Sequence, residues 1–169
     1  VPGVTNSEGG DAGWSRSHVA LATSGGFSGA YEKSNFSFSV SVLAGEDTGM
    51  ERDYDWSSAC FEADLASPEE VGKNAGEGAV RRLNPRKAQS GAVPVIYDPR
   101  VSGGLIRHLA GAISGASVAR GTSFLKDRLN QPVFAPGLKV TDDPHRKRGL
   151  RSRPFDSEGA PTNARSIIE

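Results

Sequence analysis

The chain of 169 residues holds one cysteine, one methionine, three histidines and few aromatic side chains, 7% of the total. The lone Cys60 rules out an internal disulfide, and the absence of any Cys-x-x-Cys pair removes zinc-ribbon and dithiol redox chemistry. No stretch approaches the roughly 18 consecutive apolar residues of a membrane-spanning helix. The first residues, VPGVTNSEGGDAG, have neither a basic start nor an apolar core for a signal peptide, so the cytoplasm is the expected compartment. Net charge is also missing: 20 Lys and Arg balance 20 Asp and Glu, which argues against a general nucleic-acid or membrane-surface role. The balance is uneven along the chain. Residues 1–119 carry a net charge of minus four and residues 120–169 one of plus four.

Glycine is abundant instead, at 21 residues, and with a hydrophobic share of 36% it describes a turn-rich chain able to bury one substantial core. The first third reads as an antiparallel meander. Ser15 to Ala22 forms one strand, Ser24-Gly25-Gly26 a turn, and Phe36 to Val42 alternates strictly, with Phe36, Phe38, Val40 and Val42 on one face and serines on the other. Gly45 to Gly49 turns the chain into a third strand, Met50 to Ser58, in which Tyr54 and Trp56 are expected as core and cross-strand pairs, with a peptide-binding aromatic shelf as the alternative. Asp53 and Asp55 share the opposite face. Paired carboxylates suit acid/base work, but that spacing on a strand is also what a solvated face looks like.

Ser67-Pro68-Glu69-Glu70 is a helix start, with Ser67 as N-cap, Pro68 at the first helical position and Glu70 closing a capping box. Val71, Ala75, Ala79 and Leu83 give the buried stripe, and Asn84-Pro85 ends the helix. A short strand at Val93 to Tyr97 is expected before the turn pair Asp98-Pro99. A second helix then presents Leu105, Ile106, Leu109, Ile113 and Val118 on one face. Gly103, Gly104, Gly111 and Gly115 imply either close packing or a break near Gly115. Further short strands are expected at Val133-Phe134 and Leu138 to Thr141, and the final Ala-Arg-Ser-Ile-Ile-Glu reads as an unfinished strand. The expected fold is therefore α+β, an antiparallel meander followed by helix-strand-helix and short strands. It divides into a β region (1–62), a central region (63–130), and short strands with a basic loop (131–169), as part of a larger multi-domain protein.

Four segments together resemble a known family: MERDYDWSSA (50–59), SPEEVG (67–72), VIYDPRVSGGLIRHLAGAISGASVARGTSFLKD (95–127) and VFAPGLKVTDDPHRKRGLRSRPFDSEGAPT (133–162). The chain resembles the PmbA/TldE-type subunit of the TldD/PmbA metallopeptidases, once described as modulators of DNA gyrase. In the family's catalytic TldD-type subunit the corresponding helix resembles LLHEAVGHG, an HExxxH motif whose histidines bind zinc while the glutamate serves as general base. Placing the motif's apolar pair on Leu105-Ile106 and its internal glycine on Gly111 puts Arg107 and Ala112 at the ligand positions and His108 at the glutamate position. Arg107 is not deprotonated to ligate, Ala112 has no donor atom, and His108 has no second histidine one turn away.

The resemblance thus implies a metal-free subunit, with zinc expected on a TldD-like catalytic partner chain and peptide as substrate. Arg107, His108, Arg120, Gly121, Thr122 and Ser123 are the expected peptide-cleft residues, and no catalytic residue or metal ligand is expected on this chain. Arg107 and His108 read equally as polar residues on a solvated helix face. Of the other histidines, His18 has no ligand neighbours in sequence. Asp142, Asp143 and His145 carry ligand-type atoms, but Asp-Asp-Pro after an apolar strand is ordinary turn chemistry. The remaining signal is Arg146-Lys147-Arg148, Arg151 and Arg153. This loop (146–153) reads as a solvated or interface loop, as a contact for peptide carboxylates, or as a track for a phosphate backbone in a non-proteolytic, DNA-associated regulatory module. No base-stacking aromatic lies within it, and Asp142, Asp143, Asp156 and Glu158 flank it, so nucleic acid is the least favoured of these.

Overall fold

Alternating apolar and polar residues need a partner strand on each side to satisfy their backbone groups, and the segment around Phe36 obtains both. In the computed structural model, which describes residues 1–169, β1 (Val4–Ala22), β2 (Ser28–Ala44) and β3 (Glu51–Ala59) form an antiparallel sheet in the order β1-β2-β3. Trp14 stands opposite Phe36, and Val42 opposite Asp53. The β1–β2 turn closes through the Thr23 N–H donating to the Phe27 carbonyl at 2.9 Å, with Gly26 at φ +91. β1 begins at Val4 rather than at Ser15. Its glycine- and serine-rich first half has no apolar alternation of its own and is held extended by the ladder with β2, with register shifts between Val4 and Asn6 and between Ser7 and Gly9.

The helix α1 (Pro68–Arg81) covers one end of the sheet. Of the expected start, the N-cap and the first-turn proline form: the Ser67 hydroxyl accepts the Glu70 N–H at 3.1 Å, and no bond from the Glu70 carboxylate back to Ser67 closes the box. It ends before Asn84, whose φ of +56 turns the chain ahead of Pro85. Ala75 and Ala79 pack on Val42 and Ala44, with Val4, Val40, Val80 and Leu83 around them, and Val71 is buried on the same stripe. Small residues let the helix lie close to the sheet, and two glycines are required for that approach. A Cβ on Gly76 would meet Val1 at 2.8 Å, and one on Gly78 would land on the Asp53 carboxylate.

That contact corrects the reading of Asp53 as part of a solvated face. Asp53 lies on the helix-covered side of β3, 2% exposed, accepts the N–H of Tyr54 at 2.9 Å and faces Arg82 at 3.4 Å. The alternation in β3 is consequently inverted from expectation. Tyr54 and Trp56 occupy the uncovered side, about half exposed, and stack on each other at 5.7 Å between ring centroids instead of entering the core.

Two compact units are distinguished by their internal contacts: residues 1–87 with 140–167, and residues 88–139 with 168–169. In the first, β4 (Val140–Asp142) pairs with β5 (Arg165–Ile168). The segment between them returns to the β1–β2 hairpin, where Phe155 packs edge-on against Phe27 and Tyr31 at 5.0 and 5.3 Å. Gly159, at φ +86, leaves room for the Phe27 ring. The Asp156 carboxylate accepts the N–H groups of Glu158 and Ala160, both at 2.9 Å, and these bonds hold its pKa below the ordinary aspartate value.

The second unit contains α2 (Pro99–Ala112) and α3 (Gly115–Ala119), separated at Ile113-Ser114. Neither expected strand in it forms. Val93 to Tyr97 and Val133-Phe134 are irregular, and Ile96 is 97% exposed. β-branched composition favours an extended chain only where a neighbouring strand supplies backbone partners, and no segment of this chain pairs with either. The strand expected at Leu138 to Thr141 is displaced to Val140–Asp142.

Candidate functional site

Asp98 and Pro99 act as a helix start. The Asp98 carboxylate accepts the Arg100 N–H at 2.9 Å, and Pro99 occupies the first turn of α2. Along the helix only Leu109 and Ala112 are buried, whereas Leu105, Ile106 and, just beyond the helix end, Ile113 are more than two-fifths exposed. Arg107 and His108 also lie on exposed turns of α2.

A zinc ion does not fit the residues at these positions. Arg107 offers only donors and Ala112 offers a methyl group that is 5% exposed. His108 stands alone, and no three His, Cys, Asp or Glu side chains of the chain converge in a ligating arrangement. His18 sits 3.3 Å from Glu32, which also receives Arg16 at 2.6 Å. The hydrogen bond from Arg16 holds the Glu32 carboxyl below its usual range. In the Asp142, Asp143 and His145 cluster, the Asp143 carboxylate accepts the His145 N–H at 3.0 Å, as turn chemistry requires, while His145 Nε2 lies 3.1 Å from the Thr162 hydroxyl.

The other expected cleft residues form one turn after α3. Arg120 closes that helix, Gly121 adopts φ +70, and the Thr122 hydroxyl donates to the Ser117 carbonyl at 3.2 Å. Ser123 differs from its neighbours because it is buried. Its hydroxyl donates to the Ala112 carbonyl at 2.6 Å and accepts the Leu125 N–H at 3.0 Å, so it ties the turn to the carboxyl end of α2. Both functions of the hydroxyl are thereby used within the fold. Arg107, His108, Arg120, Gly121 and Thr122 remain at the surface.

A second constellation emerges only in three dimensions. The basic loop lies beside Tyr31 and Lys33 of β2, and together with Asp142, Asp143 and Asp156 they line a polar hollow of about 1220 Å³. The loop is pinned: Arg148 pairs with Asp64 at 2.6 Å and sits over the Phe61 ring, 4.5 Å from its centroid. Sequence reasoning missed Lys33 because nothing local connects it to residues more than a hundred positions later.

Comparison with known proteins places these elements in context. Residues 3–83 match the PmbA/TldA metallopeptidase central domain and residues 90–169 its C-terminal domain. Metalloprotease PmbA of Escherichia coli O157:H7 is 39% identical over 166 residues, covering 98% of this chain and 37% of that protein. The Metalloprotease PmbA homolog of Haemophilus influenzae is 40% identical over 156 residues, covering 90% and 35%. The crystal structure of a protein from Bacteroides thetaiotaomicron described as a modulator of DNA gyrase superposes with a TM-score of 0.85 at 29% identity, over 95% of this chain and 37% of that one. A Thermotoga maritima protein described in the same way gives 0.79 at 26% identity, over 90% and 35%. The chain therefore spans little more than a third of the length of the relatives it matches, and with its two domains matched in order it belongs to the PmbA/TldA metallopeptidase family.

Proposed function

We propose that this chain is part of a metal-free, PmbA/TldE-like subunit that pairs with an HExxxH-bearing, TldD-like subunit in the cytoplasm to degrade unfolded or short peptides. Zinc belongs to the partner in this reading, and the chain helps to enclose the peptide cleft. The observation that carries it is α2. At the positions where the related catalytic helix needs two imidazoles and a carboxylate, this helix has Arg107, Ala112 and His108. The surroundings suit a surface that docks and binds. Leu105, Ile106, Ile113, Val118 and Phe124 are all exposed in the same unit, an apolar concentration of the kind that marks interaction surfaces. Arg107, His108, Arg120, Gly121 and Thr122 would then border the cleft, with Ser123 holding their turn in place.

The test is to purify the full-length protein alone, count its zinc and assay it against unstructured peptides. Sub-stoichiometric zinc with no cleavage is expected. Cleavage by the lone protein with one zinc per chain would overturn the proposal.

A further inference from the structure

The polar hollow beside β2 has a charge imbalance that the fold itself does not use. Five cations line it, Lys33, Arg146, Arg151, Arg153 and Arg165, against three carboxylates. The carboxylates are already engaged. Asp142 faces Arg165 at 3.5 Å, Asp143 accepts the His145 N–H, and Asp156 is held by two backbone donors with Arg153 contributing to its field. Lys33, Arg146 and Arg151 have no ion pair.

The backbone of the loop that carries the arginines is also held in place. The Arg153 N–H donates to the Pro144 carbonyl at 2.9 Å, and the Ser152 hydroxyl donates to the Arg146 carbonyl at 2.7 Å. The Arg148–Asp64 pair fixes the middle of the loop. A loop ordered before binding loses little entropy when it captures a ligand. Guanidinium forks match the two oxygens of a carboxylate.

We infer that this hollow binds the carboxylates of an acidic peptide segment, with Arg146, Arg151 and Lys33 as the recognising cations. A peptide is favoured over nucleic acid because the one aromatic ring in the hollow, Tyr31, is engaged by Phe155 and so is poorly placed to stack on bases. The inference deepens the proposed peptide-handling role and rests on it, naming acidic segments as the preferred class.

The test measures binding of fluorescent peptides of equal length to the full-length protein, one rich in Asp and Glu and one neutral, by anisotropy across a salt series. The acidic peptide is expected to bind more tightly, with an affinity that falls as salt rises. The double variant Arg146→Gln/Arg151→Gln is expected to weaken it about tenfold or more, leaving the neutral peptide and the unfolding midpoint unchanged. Arg86→Gln/Lys87→Gln, which removes the same charge outside the hollow, should leave both peptides unaffected. Equal binding of the two peptides, or equal losses in both double variants, would overturn this inference while leaving the proposed subunit role standing. A single-stranded DNA of matched charge that binds more tightly than the acidic peptide, and is lost with Arg146 and Arg151, would overturn it in favour of nucleic acid. Failure of every peptide to bind would overturn both readings.

Discussion

Two glycines of α1, Gly72 and Gly78, show how one residue type carries opposite consequences in one helix. In an exposed helix interior, glycine costs about 1 kcal/mol relative to alanine, and nothing lies within 4 Å of a Cβ built at Gly72. Gly72→Ala is expected to raise the stability of the intact protein by up to about 1 kcal/mol, read as a higher urea midpoint. Gly78→Ala should lower it by about 1–3 kcal/mol despite the better helix propensity, because the added methyl group displaces the buried Asp53 carboxylate. Ser123 is the other decisive residue. Replacing it with alanine leaves the Ala112 carbonyl and Leu125 N–H without their partner, so Ser123→Ala should cost about 1–3 kcal/mol. Thr122→Ala, at an exposed position, should cost less than half as much. Near-equal losses in the two variants would show that Ser123 does not hold the turn. The cost of Gly72 was legible in sequence, but the burial of Asp53 against Gly78 and of Ser123 was not. A strand that alternates Asp with Tyr and Trp does not announce which set goes inward, and here Gly78, on a different element, makes space for the carboxylate.

At the scale of elements, what could be read depended on whether the stabilising interaction is local. The start of α1 was legible because the cap and the proline act within four residues, and the second half of β2 because its alternation is unbroken from Phe36 to Val42, whereas its extension back to Ser28 was not. The break between α2 and α3 was one of two readings the glycines left open, beside close packing. The first half of β1 was illegible because its extension is imposed by β2, and Val93 to Tyr97 misled because composition alone does not supply a pairing strand. The turn around Asp156 joins the segment carrying Phe155 to the β1–β2 hairpin, and it sets a pH dependence. Its folded pKa is depressed, so its stabilising contribution is fully present above the ordinary aspartate value of 3.8 and is lost as pH falls through the lower folded value. The gap in melting temperature between the wild type and Asp156→Ala should therefore be constant from neutrality down to about pH 4 and shrink below it. A gap that widens on acidification would contradict this assignment.

For the whole molecule, the family and the α+β class were legible because the matching segments are long and span both domains. The candidate site was only partly so: Arg107, His108 and Ala112 could be placed on one helix from spacing, whereas the burial of Ser123 and the meeting of Lys33 with the basic loop depend on the tertiary fold. The exposed apolar residues of α2 and its surroundings and the cationic hollow are the features on which the proposed binding and positioning role rests. The most direct measurement is to titrate the full-length protein into a purified HExxxH-bearing family member while following peptide cleavage and counting zinc in the isolated complex. Cleavage that rises to saturation at a fixed stoichiometry, with zinc only on the HExxxH-bearing chain, is the expected result. Cleavage unaffected by the added protein, with no complex recovered, would contradict the proposed role.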